Sequence, residues 1–220
     1  MKVLIACEFS GIVREAFREQ GHNAWSCDLL PTEIPGNHIQ DDVFNHLDEG
    51  WDMMLFFWPC TWSTRSGARW LFEKPAKPDP NILYLEDRRK AMIAAANQFR
   101  RLLDYDAIPM RCGENPRPYR TAHQIMGPWT QSVQPWMFGH GECKETCLWL
   151  RGLKKLDPTH RRDDLFSQQE PIERIARVHK MPKSKNRSKE RSKTYTGIGS
   201  AMAKQWGSME SATVPGGGVR

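Results

Sequence analysis

The chain has 220 residues, of which 39% are hydrophobic and 26% charged, with a formal net charge of +6 at pH 7. That length suits one domain of ordinary size with a sizeable core, expected over residues 1–207, followed by a disordered tail at 208–220. No apolar stretch approaches the ~18 residues of a membrane-spanning helix, and the six cysteines are scattered, so reduced thiols in a cytoplasmic, monomeric protein are expected.

Lys2–Cys7 is apolar and stops at Phe9-Ser10-Gly11, the pattern of a buried first strand rather than a signal peptide. Ile12, Val13, Ala16 and Phe17 then recur at helical spacing, with Gly21 as C-cap. His22–Cys27 predicts a second strand ending at Asp28. A Pro/Gly-rich loop, Pro31–Gly36, leads to a short third strand and Asp41-Asp42. Met53–Phe57 is continuously apolar, as expected of a strand buried on both faces of a parallel sheet, and ends at Trp58-Pro59-Cys60. Residues 61–81 read as a surface loop and Tyr84–Asp104 as the strongest helix. Ile108–Cys112 is a fifth strand, followed by Glu114-Asn115-Pro116. Val133–Phe138 and Thr146–Leu150 are strand-like, 152–193 is irregular and basic, and Gly197–Trp206 is a final helix.

Strands alternating with helices predict an α/β fold with a mostly parallel central sheet and helices on both faces. In such sheets ligands gather at the carboxyl ends of the strands, where Phe9–Gly11, Asp28, Asp42, Pro59-Cys60 and Glu114-Asn115 all fall. The charge is also polarised. Residues 1–60 carry three Lys/Arg against ten Asp/Glu, whereas 177–193 carry eight Lys/Arg against one Glu. A basic second half suits a polyanionic partner; a solvated basic loop is the plain alternative.

Cys60 follows a buried strand and a proline. Free cysteines are most often just buried, but here a carboxylate and an amide stand at another strand end, Glu114-Asn115. A thiolate needs a proton-donating partner to attack a weak electrophile such as a pyrimidine C6, and these two strand ends can supply both.

Pro59-Cys60-x-x-Ser63 resembles the Pro-Cys-x-x-Ser nucleophile motif of DNA cytosine-C5 methyltransferases, and Glu114-Asn115 their Glu-Asn motif. Phe9-Ser10-Gly11 is similar to the family's cofactor turn, Asp28 to its ribose-binding acid, and Asp42-Val43 to its adenine-side pair. Phe138-Gly139 with Glu142-x-Lys144-x-Thr146 resembles the Gln-x-Arg-x-Arg strand, with Lys144 and Thr146 in place of the two arginines. Thr196-Gly197-Ile198-Gly199-Ser200 is similar to the C-terminal motif closing the cofactor pocket. The matches keep the family's order over about 1–150 and 194–207, and the wording is closest to compact, phage- or prophage-borne members.

The resemblance implies a Rossmann-like, S-adenosylmethionine-dependent fold and methyl transfer to C5 of cytosine in DNA. It implies catalytic Cys60, Glu114, Asn115 and Lys144, and a cofactor site of Phe9, Ser10, Gly11, Asp28, Asp42, Pro59, Ile198 and Ser200. Trp62, Ser63, Arg65 and Arg69 near the nucleophile suit stacking on bases and phosphate contacts, and Lys183, Lys185, Arg187 and Lys189 suit phosphates. Only about forty residues separate Leu150 from Thr194, so sequence specificity is expected to be short or relaxed. A zinc site at His140, Cys143 and Cys147 matches no standard finger, and a zinc deaminase would need a cysteine where Ser63 stands. Two further readings stay open: a catalytically inactive relative that binds nucleic acid or S-adenosylmethionine, and a same-fold enzyme acting on another pyrimidine or a free nucleotide.

Overall fold

The computed structural model describes residues 1–64, 85–160, 175–176, 181–182, 184 and 187–208. Seven strands form one sheet: β1 (Lys2–Ala6), β2 (Asn23–Cys27), β3 (His38–Ile39), β4 (Met53–Phe57), β5 (Met110–Asn115), β6 (Gln131–Val133) and β7 (Thr146–Arg151). Their spatial order is β3-β2-β1-β4-β5-β7-β6. The strands β1 to β5 are mutually parallel, and β7 enters antiparallel between β5 and β6. The helices are α1 (Ile12–Glu19), α2 (Leu85–Leu103), α3 (Arg120–Met126), α4 (Arg187–Ser192) and α5 (Thr196–Gly207). This is the Rossmann-like α/β sheet expected from the sequence.

Alternation along β1 divides the core. Val3 and Ile5 point to one face and pack with Val13 and Phe17 of α1 and with Ile198, Met202 and Trp206 of α5. Leu4 and Ala6 point to the other, with Phe99 and Leu102 of α2 and Ala122 and Met126 of α3. Every residue of β1 after Lys2 is therefore buried, which is why the run carries no polar alternation. On the second face Phe99 meets Phe56 edge-on at 5.0 Å and Trp149 at 4.9 Å between ring centroids. A Cβ on Gly113 would lie 2.5 Å from the Phe56 ring and 2.6 Å from the Phe99 ring, so only glycine lets β5 pass behind Glu114.

Four expectations change. The fifth strand begins later than Ile108, because the Ile108 amide donates to the Tyr105 carbonyl in a turn. The Arg111 guanidinium fixes that turn by donating to the carbonyls of Leu103, Tyr105 and Ile108. The same strand continues through Glu114 and Asn115, which pair with Leu148 and Cys147 of β7. Residues 133–138 are strand only to Val133, since Pro135 has no amide to give a ladder and starts a 3-10 turn, Pro135–Phe138. Helices α3 and α4 lie where no helix was expected, α4 within the segment read as irregular. Among the described residues, no helix is long and apolar enough to cross a membrane.

Candidate active site

At the end of β1 the chain turns sharply. Cys7 takes a left-handed φ of 56°, and the amides of Cys7 and Glu8 both donate to the Cys27 carbonyl, at 2.7 and 3.3 Å. Gly11, at φ 78°, then starts α1 in a conformation that favours glycine. The Ser10 hydroxyl donates to Glu8, and the Ile12 amide donates to Ser10 Oγ at 3.3 Å. Glu8 is only 4% exposed, and its Oε2 has no partner among the described residues. Burial pushes its carboxyl up, with the Ser10 hydrogen bond and the Arg14 charge opposing.

Asp28 is half-buried and accepts the Leu30 amide at 2.9 Å, and burial raises its carboxyl too. Asp42 is exposed and accepts the Phe44 amide at 3.0 Å. Burial pushes the Cys7 thiol far up, and the charges of Asp28, Cys27 and Asp42 add to it. Phe9 and Ser10 are buried in the turn after β1. The loop after Asp28 is held down by Arg14, whose fully buried guanidinium donates to Ser26 Oγ at 2.9 Å, to Thr32 Oγ1 at 3.1 Å and to the Ile34 carbonyl. Of the other expected cofactor residues, Pro59 is exposed and Ser200 half-buried. Ile198, at 5% exposure, belongs to the core between α1 and α5 rather than to an open pocket wall.

The second cluster joins the ends of β4 and β5. Asn115 is fully buried: its Nδ2 donates to the Trp58 carbonyl and its Oδ1 accepts the Ser63 hydroxyl, both at 3.0 Å. The Tyr119 amide donates to the Ser63 carbonyl at 2.7 Å, and Thr64 bridges Pro118. The Thr64 amide also returns to the Cys60 carbonyl at 3.3 Å, closing the turn that presents the cysteine. Ser63 is thus a buried latch, 1% exposed, and its hydroxyl is taken by Asn115 instead of facing a nucleic acid.

Cys60 itself is exposed. The protein mass around it pushes the thiol up, the Glu114 charge adds, and the charges of Lys144 and Arg191 pull it down. Glu114 is half-buried and is pushed up by burial, with Lys144 and a hydrogen bond from the Thr146 side chain opposing. Thiol, carboxyl and two cations therefore act on one another at one rim. Burial raises both the carboxyl and the thiol, and the two cations oppose that rise at the thiol.

Lys144 reaches this rim because β7 runs antiparallel to β5. Its amide donates to Gln134 Oε1 and its Nζ to the Arg191 carbonyl, both at 2.9 Å. Helix α4 is tied across the rim from the other side. Lys189 and Lys193 each contact Glu33 at 2.9 Å, and Lys189 Nζ lies 5.0 Å over the Phe9 ring. Lys189, expected on phosphates, is engaged instead by Glu33 and lies over the Phe9 ring. Arg187 is half-buried, with its Nε buried and without a partner among the described residues. Trp62 is half-buried with the Arg88 guanidinium 5.6 Å over its ring. Arg65, Arg69, Lys183 and Lys185 lie outside the described residues. His140 accepts the Gly197 amide through Nε2 at 2.9 Å, at the start of α5, and Cys147 is buried within β7.

Glu8, Glu33 and Arg191 were not singled out from the sequence. Only Glu8 left a signal there, as an acid directly after a buried strand.

No protein-family model matches the chain, and no curated protein does. Among solved structures it is similar to a putative DNA modification methyltransferase encoded within an E. coli prophage. There the identity is 12%, with 67% of this chain and 45% of that one covered, at a TM-score of 0.40. It is also similar to a mutant of Spodoptera frugiperda DNMT2, at 15% identity, with 82% of this chain and 55% of that one covered, at a TM-score of 0.36. The chain spans about half the length of these two proteins. With TM-scores below 0.5, neither likeness carries weight for function.

Proposed function

We propose that the chain methylates C5 of cytosine in DNA through a covalent bond between Cys60 and C6 of the base. The observation that carries this reading is the latch. Asn115 holds the Trp58 carbonyl and Ser63, so the Cys60 turn and the Glu114 strand end form one unit with the thiol in the field of the carboxyl.

The residues that follow β1, β2 and β3 fit S-adenosylmethionine. The cofactor carries a sulfonium, an ammonium and two ribose hydroxyls, and these strand ends offer Asp28, Asp42 and the buried, orphaned Oε2 of Glu8. When bound, the cofactor supplies an electrophilic methyl group on its sulfonium. Asp28 would hold the ribose, Asp42 the adenine side, and Phe9 to Gly11 the methionine side.

On the other side of the rim, Cys60 adds as thiolate to C6, and the electron pair moves to C5 and toward N3. Glu114, whose carboxyl is pushed up by burial, shares a proton with N3 and so stabilises the charge that addition creates. After C5 has been methylated, loss of its proton returns the electron pair and expels Cys60 as thiolate. A base inside a duplex is out of reach of Cys60, so the cytosine must be flipped out or single-stranded. Arg187 and Trp62 are the described candidates for phosphate and base contacts, and the target context is short or relaxed.

The test is incubation with tritiated S-adenosylmethionine and DNA, followed by nucleoside mass spectrometry, and trapping on DNA carrying 5-fluorocytosine. Label in 5-methylcytosine and a covalent complex absent in Cys60→Ser are expected. Wild-type activity in Cys60→Ala would end this mechanism. Cofactor binding without methyl incorporation would mark an inactive relative, and labelling of dCMP but not of DNA would move the substrate to free nucleotides.

A further inference from the structure

Tyr195, the residue ahead of α5, reaches two charged side chains of the lead-in to β7. Its hydroxyl donates to Glu142 Oε2 at 3.3 Å, and the Lys144 ammonium lies over its ring, 5.9 Å from the centroid. Glu142 is buried, at 5% exposure, and Lys144 is half-buried. The two stand only two residues apart, yet among the described residues Lys144 pairs with no carboxylate. Its ammonium is held by neutral groups instead, the Arg191 carbonyl at 2.9 Å and the Tyr195 ring. An ammonium has three donors, and that carbonyl takes one. Lys144 is also close to the proposed chemistry: Cys147 pairs with Asn115 at the end of β5, and the Thr146 side chain hydrogen-bonds Glu114. The Tyr195 hydroxyl gives α5 no cap, so its hold on Glu142 is not explained by the helix start. A carboxylate and an ammonium partly out of water attract more than a surface pair does, so the groups that hold each of them decide whether the lysine is neutralised.

We infer that Tyr195 is a positioning residue for Lys144: holding Glu142 with its hydroxyl and the ammonium against its ring, it keeps the two from pairing and leaves Lys144 for an acceptor on the substrate. The inference rests on the proposed function, in which Lys144 meets the base. Tyr195 sits against His140, with 5.1 Å between the ring centroids, and His140 Nε2 accepts the Gly197 amide at 2.9 Å. The start of α5 thereby sets the tyrosine, and the tyrosine sets the lysine. When the tyrosine is removed, the Glu142 carboxylate loses a donor, and the ammonium two residues away is a group of opposite charge to which it can turn.

The experiment is the rate of Lys144 acetylation by dilute acetic anhydride at fixed pH, read by mass spectrometry of the Lys144 peptide in the full chain. Pairing with a carboxylate stabilises the protonated amine, which does not react. In the wild type, Glu142→Gln should change the rate little. In Tyr195→Leu, which keeps apolar bulk ahead of α5, the same change should raise the rate several-fold, because it removes the carboxylate that has come to pair with Lys144. Tyr195→Phe loses only the hydroxyl and should show the same dependence at smaller size, which keeps the test open if Tyr195→Leu does not fold. An effect of Glu142→Gln that is equal in the wild type and in the folded variants would overturn the assignment, and is what a tyrosine that merely anchors α5 would give. Methylation of DNA by Tyr195→Leu should fall several-fold in kcat and recover in part with Glu142→Gln; unimpaired methylation would overturn the role in the reaction. A Glu142 dependence seen in a chain that methylates no DNA upholds Tyr195 as the divider and removes the methyltransferase reading instead.

Discussion

Ser63 Oγ donates to the fully buried Oδ1 of Asn115, at 3.0 Å, across 52 residues of sequence. This one bond decides where the Cys60 turn sits relative to Glu114. Ser63→Ala would leave the Asn115 oxygen buried and unsatisfied, at a cost of about 1–3 kcal/mol. Thermal denaturation should show that loss, and turnover should fall further than stability does. Asn115→Asp should be worse, because the carboxylate cannot donate to the Trp58 carbonyl. A Ser63→Ala protein with unchanged melting and activity would mean that the latch is not needed.

Glu114 raises the Cys60 thiol by its charge. Glu114→Gln removes that charge, so Cys60 should become more reactive toward iodoacetamide near neutral pH while methylation of DNA falls by orders of magnitude. The two readouts moving in opposite directions is the signature expected. Both falling together would place Glu114 in a structural role.

Asp28 should hold the cofactor through charge-assisted hydrogen bonds, each worth on the order of 1.5–3 kcal/mol. Asp28→Ala should weaken S-adenosylmethionine binding at least tenfold by calorimetry. Equal affinity would put the ribose elsewhere.

His140 Nε2 must be unprotonated to accept the Gly197 amide at the start of α5. Burial lowers its pKa, with the Glu142 charge opposing. The unfolded chain then binds the proton more readily than the folded one. The stabilisation is present above the ordinary histidine value of about 6.5 and is lost as pH falls through the lower folded value. Melting curves from pH 8 to 5 should show this loss in the wild type and a flatter profile in His140→Gln. Parallel profiles would remove the cap.

The sheet was legible where burial is uniform. Met53–Phe57 shows its strand in full because both faces are covered. Glu114 and Asn115 looked like a loop because polar residues break the apolar run, although β7 pairs with both. Pro135–Phe138 has the aromatic composition of a strand, and only the missing proline amide argues otherwise. The strand-end residues Cys60, Glu114 and Asp28 were legible as candidates from their positions after apolar runs. Ser63 was not, since nothing local tells a hydroxyl that faces substrate from one that latches a distant amide. The pairing of Lys189 and Lys193 with Glu33 was hidden in a run of like charges, where only the folded chain tells one cation from the next.

The reversed direction of β7 has a consequence for how this scaffold tolerates change. Parallel strands bring their last residues to the rim, but β7 brings its first, so Lys144 and Thr146 are in place before the strand is laid down. The chain leaves β7 at Arg151, at the opposite end of the strand. Later chain nevertheless returns to the Lys144 side of the rim, where Ile175 bridges Glu142 and exchanges backbone hydrogen bonds with Gly141 and Cys143. A change between Gly152 and α4 therefore reaches the segment that carries Lys144 through Ile175, and it leaves the rim in place only if that bridge is kept.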